Sequence, residues 1–319
     1  MKSKFGTIFH YFRKNNLLKT MKKGRILMLF GFLFINGLVF GQDYTFKVLA
    51  NKGSNEIKSG DTWQAVKTGS SLNAGDEIKI TENSYLGLVH KTGKPMELKQ
   101  AGSYKVADLA AKVSGGTSVL NKYTDFILSS NSAEAKKNRL SATGAVHRGL
   151  EDIKVFLPEN QYAGIYNNIA IINWEASKAG GPYSVTLKNM FDDELMKTET
   201  PETKLQIDLS DPKFANETAI LIEVKSKNDS KSKSEQHLIK RLSPADHDRV
   251  KKSLADITGD VQEETALNKF IMAGFYEENK LFIDAITSYE QAIKMAPDVP
   301  SYQEAYDEFL LRNKLKLPK

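Results

Sequence analysis

Histidines and carboxylates are the residues searched first for chemistry in this chain, which contains no cysteine. Thiol catalysis, disulfides, cysteine-ligated zinc and acylation at a cysteine are therefore excluded. The five histidines, His10, His90, His147, His237 and His247, lie far apart. None has the HExxH spacing that turns two imidazoles towards one metal from a single helical face. Asp246-His247-Asp248 comes nearest to a cluster, but consecutive residues on a helix point in different directions. Acids there fit the positive end of a helix better. Glu277 and Glu278 are adjacent rather than opposed across a cleft, which is poor geometry for paired acid–base work. The phosphate-cradling GxxxxGK[ST], the dinucleotide GxGxxG and the nucleophile elbow GxSxG are absent from the sequence. The expectation is a protein that is not an enzyme and uses neither metal nor cofactor.

The elements that would carry any site belong to an exported chain. Its 319 residues suffice for two or three domains, and 40% hydrophobic with 26% charged residues is the balance of a folded protein. Residues 1–41 hold eight of the 45 Lys and Arg and none of the 39 Asp and Glu. The formal charge of +6 is thus a property of the leader, and gives no argument for nucleic acid as a partner. Lys22, Lys23 and Arg25 precede the apolar run Ile26–Phe40, which has the length of a signal h-region and is short for a span of about 20 residues. Val39 and Gly41 suit a signal-peptidase pocket, so cleavage is expected between Gly41 and Gln42. Met21 would open a conventional signal peptide, with Met1–Thr20 as an upstream extension. The other reading of Ile26–Phe40 is an uncleaved anchor, the one membrane contact expected.

Residues 42–104 read as a small β domain. Phe46, Val48, Trp63, Ile78, Ile80, Leu86, Leu88, Met96 and Leu98 recur at strand spacing, and Gly-containing turns divide them. The succession Trp63…Gly69, Leu72-Asn-Ala-Gly75-Asp76-Glu-Ile78, Ser84-Tyr-Leu-Gly-Leu88 resembles the FecR-type domain of bacterial envelopes over about 60 residues. In that reading Gly75 supplies a positive φ and Asp76 caps the turn. Residues 105–150 form a short helical segment, with faces Val106/Leu109/Ala110/Val113 and Val119/Leu120/Tyr123/Phe126/Ile127, followed by a polar linker from Asn131 to Gly149. Residues 151–242 return to alternation in seven runs, beginning at Ile153/Val155/Leu157 and including Tyr183/Val185/Leu187 and Ile220/Ile222/Val224. They suggest an immunoglobulin- or fibronectin-III-like sandwich with Trp174 in its core. Lys225–Gln236 is expected as a solvated hairpin tip.

Residues 243–319 read as helical hairpins. Ser243-Pro244 starts one helix. Gly259 ends it, and Asp260 with Glu263 opens the next. Ala266–Val299 breaks near Asn279–Leu281. It carries small Ala273, Ala285 and Ala292, with aromatic Tyr276, Phe282 and Tyr289 between them, and closes on Pro297. This pattern resembles one tetratricopeptide repeat (TPR), with Lys269 in place of the usual Trp and Lys280 in place of the usual Gly. In that family the first helix of each unit lines a concave groove. Leu267, Phe270, Gly274, Glu277 and Glu278 would then contact a partner. One such hairpin cannot bury both faces, so flanking helices must cover it.

Together these readings give a multidomain fold: an all-β FecR-like domain, a short helical segment, an Ig-like sandwich and α-helical TPR-like hairpins. The function expected is an exported envelope protein of a Gram-negative bacterium, in the periplasm or at the surface. It would serve as a protein-interaction scaffold or sensor for an envelope protein or peptide. The alternative is a carbohydrate- or cell-wall-binding module presenting Trp63, Tyr162, Tyr166 and Tyr183. The leader is directly testable. Mass spectrometry of the exported chain should find Gln42 as its first residue; an intact Phe40–Lys47 peptide in the membrane fraction would make Ile26–Phe40 an anchor.

Overall fold

Short alternating runs broken by turn residues build β-structure where their apolar faces meet, and two such meetings occur in this computed structural model. It describes residues 44–113, 119–142, 153–258 and 264–316. The leader with its Gly41–Gln42 junction lies outside these, as do Gly259, Asp260 and Glu263. In the first β region the strands are β1 (Phe46–Lys52), β2 (Glu56–Ser59), β3 (Thr62–Ala65), β4 (Ser71–Leu72), β5 (Glu77–Ile80), β6 (Tyr85–His90), β7 (Pro95–Leu98) and β8 (Gly102–Lys105). They form two antiparallel sheets, ordered β4-β1-β6-β7 and β3-β2-β5-β8. Phe46, Val48, Ile78, Ile80, Leu86 and Leu88 from both sheets share one core. Trp63 does not join it and stands 40% exposed on edge strand β3. The Gly75-Asp76 turn forms with one correction. Gly75 is not in the left-handed region. Asp76 does the work, its carboxylate accepting from the Asn73 amide at 2.6 Å.

Strand β6 is buried along its whole length. Leu86 and Leu88 face the sheet core, while Tyr85 and Val89 face the helices. A strand covered on both faces needs a second layer. Gly87 permits it, since a Cβ there would sit 3.0 Å from Leu267 Cδ1.

The second β region contains β9 (Gly164–Ile165), β10 (Ile169–Asn173), β11 (Tyr183–Lys188), β12 (Glu194–Thr200), β13 (Lys204–Asp208), β14 (Ala219–Ser226) and β15 (His237–Arg241). Five of them form the sheet β12-β11-β14-β15-β9 and two the sheet β10-β13. Trp174 lies 2% exposed in the core between them, edge-on to Tyr183. The expected strand Ile153–Leu157 is not one. It makes a single bridge, Val155 to Trp174, and the short β9 pairs parallel with β15 instead. The serine- and lysine-rich loop after β14 is not wholly solvated. Its lysines point out, but Ser232 and Ser234 are buried, and Ser234 Oγ accepts from the Val224 amide at 3.0 Å.

Among the described residues the helices are α1 (Val106–Ala111), α2 (Leu120–Ser130), α3 (Ala133–Ala142), α4 (Pro244–Thr258), α5 (Ala266–Glu278), α6 (Phe282–Met295) and α7 (Pro300–Arg312). Helix α3 occupies most of the stretch expected as a linker. Ser132 Oγ accepts the Ala135 amide at its start, and Arg139 pairs with Glu308 on α7. Ser243 caps α4 as expected, accepting the Asp246 amide at 3.2 Å. For α5 the cap is Thr265, which accepts from the Asn268 amide at 3.2 Å. The α5–α6 hairpin turns at Asn279–Leu281, and Ala273, Ala285 and Ala292 are fully buried along it.

Lys280 in that turn has φ of +61°, a left-handed conformation that costs an L side chain about 1–2 kcal/mol and glycine almost nothing. Lys280→Gly should therefore raise stability by about 1 kcal/mol and the thermal midpoint by roughly 2–4 °C. Calorimetry checks this; a lowered midpoint would mean that the Lys280 contact over the Phe282 ring, at 5.6 Å, outweighs the strain.

Candidate functional site

Ten of the thirteen residues of α5 are buried, and this decides what the expected groove residues do. Leu267 packs on β6, and its amide donates to Glu97 Oε1 at 2.9 Å. Phe270 meets the Tyr302 and Tyr289 rings edge-on, with centroids 4.9 and 5.9 Å away. Gly274 touches α2 so closely that a Cβ would lie 2.7 Å from Ile127 Cδ1 and Cγ1. Glu277, 3% exposed, takes a bidentate pair from Arg312 at 2.5 Å on both oxygens and a bond from Asn313 Nδ2 at 2.9 Å. Glu278 pairs with Lys122 of α2 at 2.9 Å. The structure brings all five together, but around the chain's own α2, α7 and β6 rather than at an open surface.

The other flank of the hairpin meets the second β region through a buried carboxylate. Asp284 is fully buried near the start of α6. Its Oδ2 accepts the Tyr166 amide at 2.8 Å, and its Oδ1 accepts the amide and Nδ2 of Asn167 at 2.9 and 2.8 Å. Asn167 Nδ2 also reaches the Tyr276 hydroxyl at 2.9 Å. Burial outweighs these three donors and pushes Asp284 up to about 6. One residue back, Ile283 enters the sandwich core, and Thr287 Oγ1 accepts the Ile171 amide at 3.0 Å. Between this loop and the hairpin lies a cleft of about 400 Å³, lined by Tyr166, Asn167, Met272, Tyr276, Ser288 and Gln291 among others.

The remaining singled-out residues disperse. His247 stacks on Tyr166 at 4.6 Å, and Asp246 bonds Ser243 and pairs with Arg249, so this triplet starts α4 as a helix cap would. Of the aromatic platforms, Tyr183 is buried in the sandwich at 1% exposure and is unavailable. Trp63 and Tyr162 are exposed, and Tyr166 is half-buried at the cleft. Among the described residues no group of three or more His, Asp or Glu is placed to hold a metal, and no helix is long and apolar enough to cross a membrane.

Sequence reasoning missed Asp284 and the β11–β12 turn, and both had a signal. Asp284 is a lone acid inside the apolar run Phe282–Ile286, where a charge needs built partners. The turn Asn189–Asp193 carries Met190 and Phe191, 57% and 87% exposed, where polar residues are usual. It is pinned. Asn189 Oδ1 accepts the Phe191 and Asp193 amides at 2.9 and 3.0 Å, and Asp192 pairs with Lys188 at 2.7 Å. No protein-family model matches the chain, and no curated protein matches it.

Asp284 yields a pH-dependent test. Its folded-state value lies above the ordinary 3.8, so its contribution is greatest at low pH and is lost as pH rises towards about 6. Asp284→Asn places an amide N–H against a backbone N–H and should cost about 2–4 kcal/mol. That cost should shrink between pH 4.5 and 7.5. Urea unfolding of both proteins at each pH measures it; a cost that grows with pH would show that the donors dominate over burial.

Proposed function

We propose that this chain is a non-enzymatic exported envelope protein that acts as a protein-interaction scaffold. In this reading the first β region is a FecR-like domain, the second an Ig-like sandwich, and the α5–α6 hairpin a single TPR-like repeat. The repeat has turned inward and joins the two β regions into one presenting body. The observation that carries the reading is the β11–β12 turn. Burying a phenylalanine is worth about 1.5–3 kcal/mol, yet Phe191 is held in water beside Met190 by a turn with its own hydrogen-bond pins. Such a fixed apolar knob fits a socket on another protein, where a few rigid aromatic anchors carry most of the binding energy. Asp192, Asp193 and Glu194 follow it directly. Their charge favours a socket with a basic rim and disfavours an anionic lipid surface.

A photo-crosslinker at residue 191 of the full-length protein, activated in the native envelope, should capture a discrete protein. Met190→Ser with an adjacent crosslinker at residue 193 should lose the same adduct while leaving the thermal midpoint within about 1 °C, since exposed substitutions are nearly neutral. An unchanged adduct in that variant, or no protein adduct at residue 191, would overturn the knob as the contact surface.

A further inference from the structure

Edge strand β3 lacks the devices that keep sheet edges from pairing. We propose that it pairs antiparallel with β3 of a second copy of this chain, about a two-fold axis at Gln64. The β11–β12 turn takes no part in this, so neither reading depends on the other. An open edge is normally guarded by charge, proline, a bulge, shortness or a covering element. The other edges of the described sheets have such guards. Strand β12 carries Glu194, Lys197 and Glu199, and its ladder with β11 is irregular at Leu187–Lys188. Strand β13 has Lys204 and Asp208, and β8 ends in Lys105 and runs straight into α1. Strand β7 starts at Pro95 and is tied to α5 through Glu97, and the Ile171 amide of β10 is taken by Thr287. Strands β4 and β9 are very short. Strand β3, Thr62-Trp63-Gln64-Ala65, has no charge, no proline and no break in its ladder with β2, and its residues are all exposed.

Two features select a second copy over any other extended segment. The first is the set of backbone groups on offer. The Val66 amide donates inwards to the Asn55 carbonyl at 2.9 Å. Inward and outward groups alternate along an antiparallel strand. Thr62 and Gln64 therefore also face β2, while Trp63 and Ala65 present N–H and C=O outwards. Pairing about Gln64 sets Trp63 opposite Ala65 of the second copy. The Trp63 amide then donates to that Ala65 carbonyl, the Ala65 amide to the Trp63 carbonyl, and the axis repeats both bonds. The second feature is side-chain complementarity. In this register Asp61 falls opposite Lys67 at each end. Both are exposed, and neither has an ion pair among the described residues. Opposite charges facing each other across strands stabilise the pairing. Ala65 leaves room for the 40% exposed indole of Trp63, and Thr62 meets Val66. Other two-fold registers lose the match. Centring on Trp63 opposes Asp61 to Ala65, and centring on Ala65 opposes Lys67 to Trp63. A contact of this kind closes as a dimer and continues the sheet β3-β2-β5-β8 across the axis. So short an edge makes an interface of the transient class, with a Kd of roughly 10–100 μM.

Sedimentation equilibrium of the full-length protein, in a mild detergent that keeps its apolar leader apart, should show a monomer–dimer equilibrium between about 1 and 300 μM. Tryptophan emission should shift to the blue with the dimer, because Trp63 becomes covered while Trp174 is already buried. The chain has no cysteine, so Gln64→Cys supplies a single thiol. Residues facing each other at a non-hydrogen-bonded site have Cα atoms about 4.5 Å apart, within disulfide range. Oxidised glutathione should therefore convert Gln64→Cys into a disulfide dimer. Thr62→Cys should not dimerise, since its two copies lie more than about 10 Å apart in this register. Ala65→Pro removes one outward N–H and should weaken the dimer at least about tenfold with the thermal midpoint unchanged. Asp61→Lys should weaken it roughly fivefold, and adding Lys67→Asp should restore it. Should Ala65→Pro lower the midpoint, this charge exchange decides. A monomer throughout the range, a dimer unaffected by Ala65→Pro, equal cross-linking at residues 62 and 64, or no recovery on charge exchange would overturn the proposal.

Discussion

Helix α5 is the constraint on which the structure depends. Ten of its thirteen residues are buried, among them Leu267, Phe270, Ile271, Ala273, Phe275 and Tyr276. These positions do not fall on one stripe. A helix apolar on all sides must be covered on all sides, and one partner helix cannot do that. The chain supplies the rest from distant segments: β6 against Leu267, α2 against Gly274, and α7 with Tyr302 against Phe270. The second β region reaches α5 through Asn167, whose Nδ2 bonds the Tyr276 hydroxyl, and takes Ile283 of α6 into its own core. Two β regions far apart in sequence therefore share one helical core, and Tyr44–Lys319 forms a single compact unit.

Hydrophobic contact alone would leave these surfaces free to slide. Each junction is fixed by a buried polar clasp whose groups are paired by design, because an unpaired one costs far more than a good pair gains. Glu97 ties β7 to the α5 start. Burial pushes its carboxyl up, but bonds from Lys99, the Leu267 amide and the Tyr85 hydroxyl together hold it below the usual range. Asp284 ties α6 to the loop after β9, and Glu277 with Arg312 ties α5 to the end of α7. Tyr85 and Tyr302 close the set at 2.6 Å between hydroxyls. The apolar core supplies the drive, and the clasps choose the docking.

How much of this the sequence disclosed depends on the range of the interaction. Period-two alternation in Tyr183–Leu187 and Ile220–Val224, the Ser243 cap and the small residues of the hairpin act within one element or between neighbours, and they were legible. Ile153–Leu157 alternates equally well yet forms a single bridge, because strand identity depends on a partner edge that the sequence does not name. Helix α3 reads as linker because its own apolar content is low; it is fixed by Ser132 locally and by Glu308 from 169 residues away. The candidate site was the least legible part. Helical spacing puts Leu267, Phe270, Gly274, Glu277 and Glu278 on one face of α5, but what covers that face is set by tertiary contacts, from Arg312, 35 residues away, to Glu97, 170 residues away.

The filled groove has an energetic consequence. A peptide entering beside Gly274 must first displace α2, and with it buried Leu120, Tyr123 and Ile127. At about 1.5–3 kcal/mol each, re-exposing these three side chains costs roughly 5–9 kcal/mol. A micromolar peptide supplies only about 8 kcal/mol in total. The competition consumes nearly all of that affinity, so this face of α5 works as a joint within the fold. A surface that a partner could meet without unmaking the fold is one already in water, such as the pinned turn at Phe191.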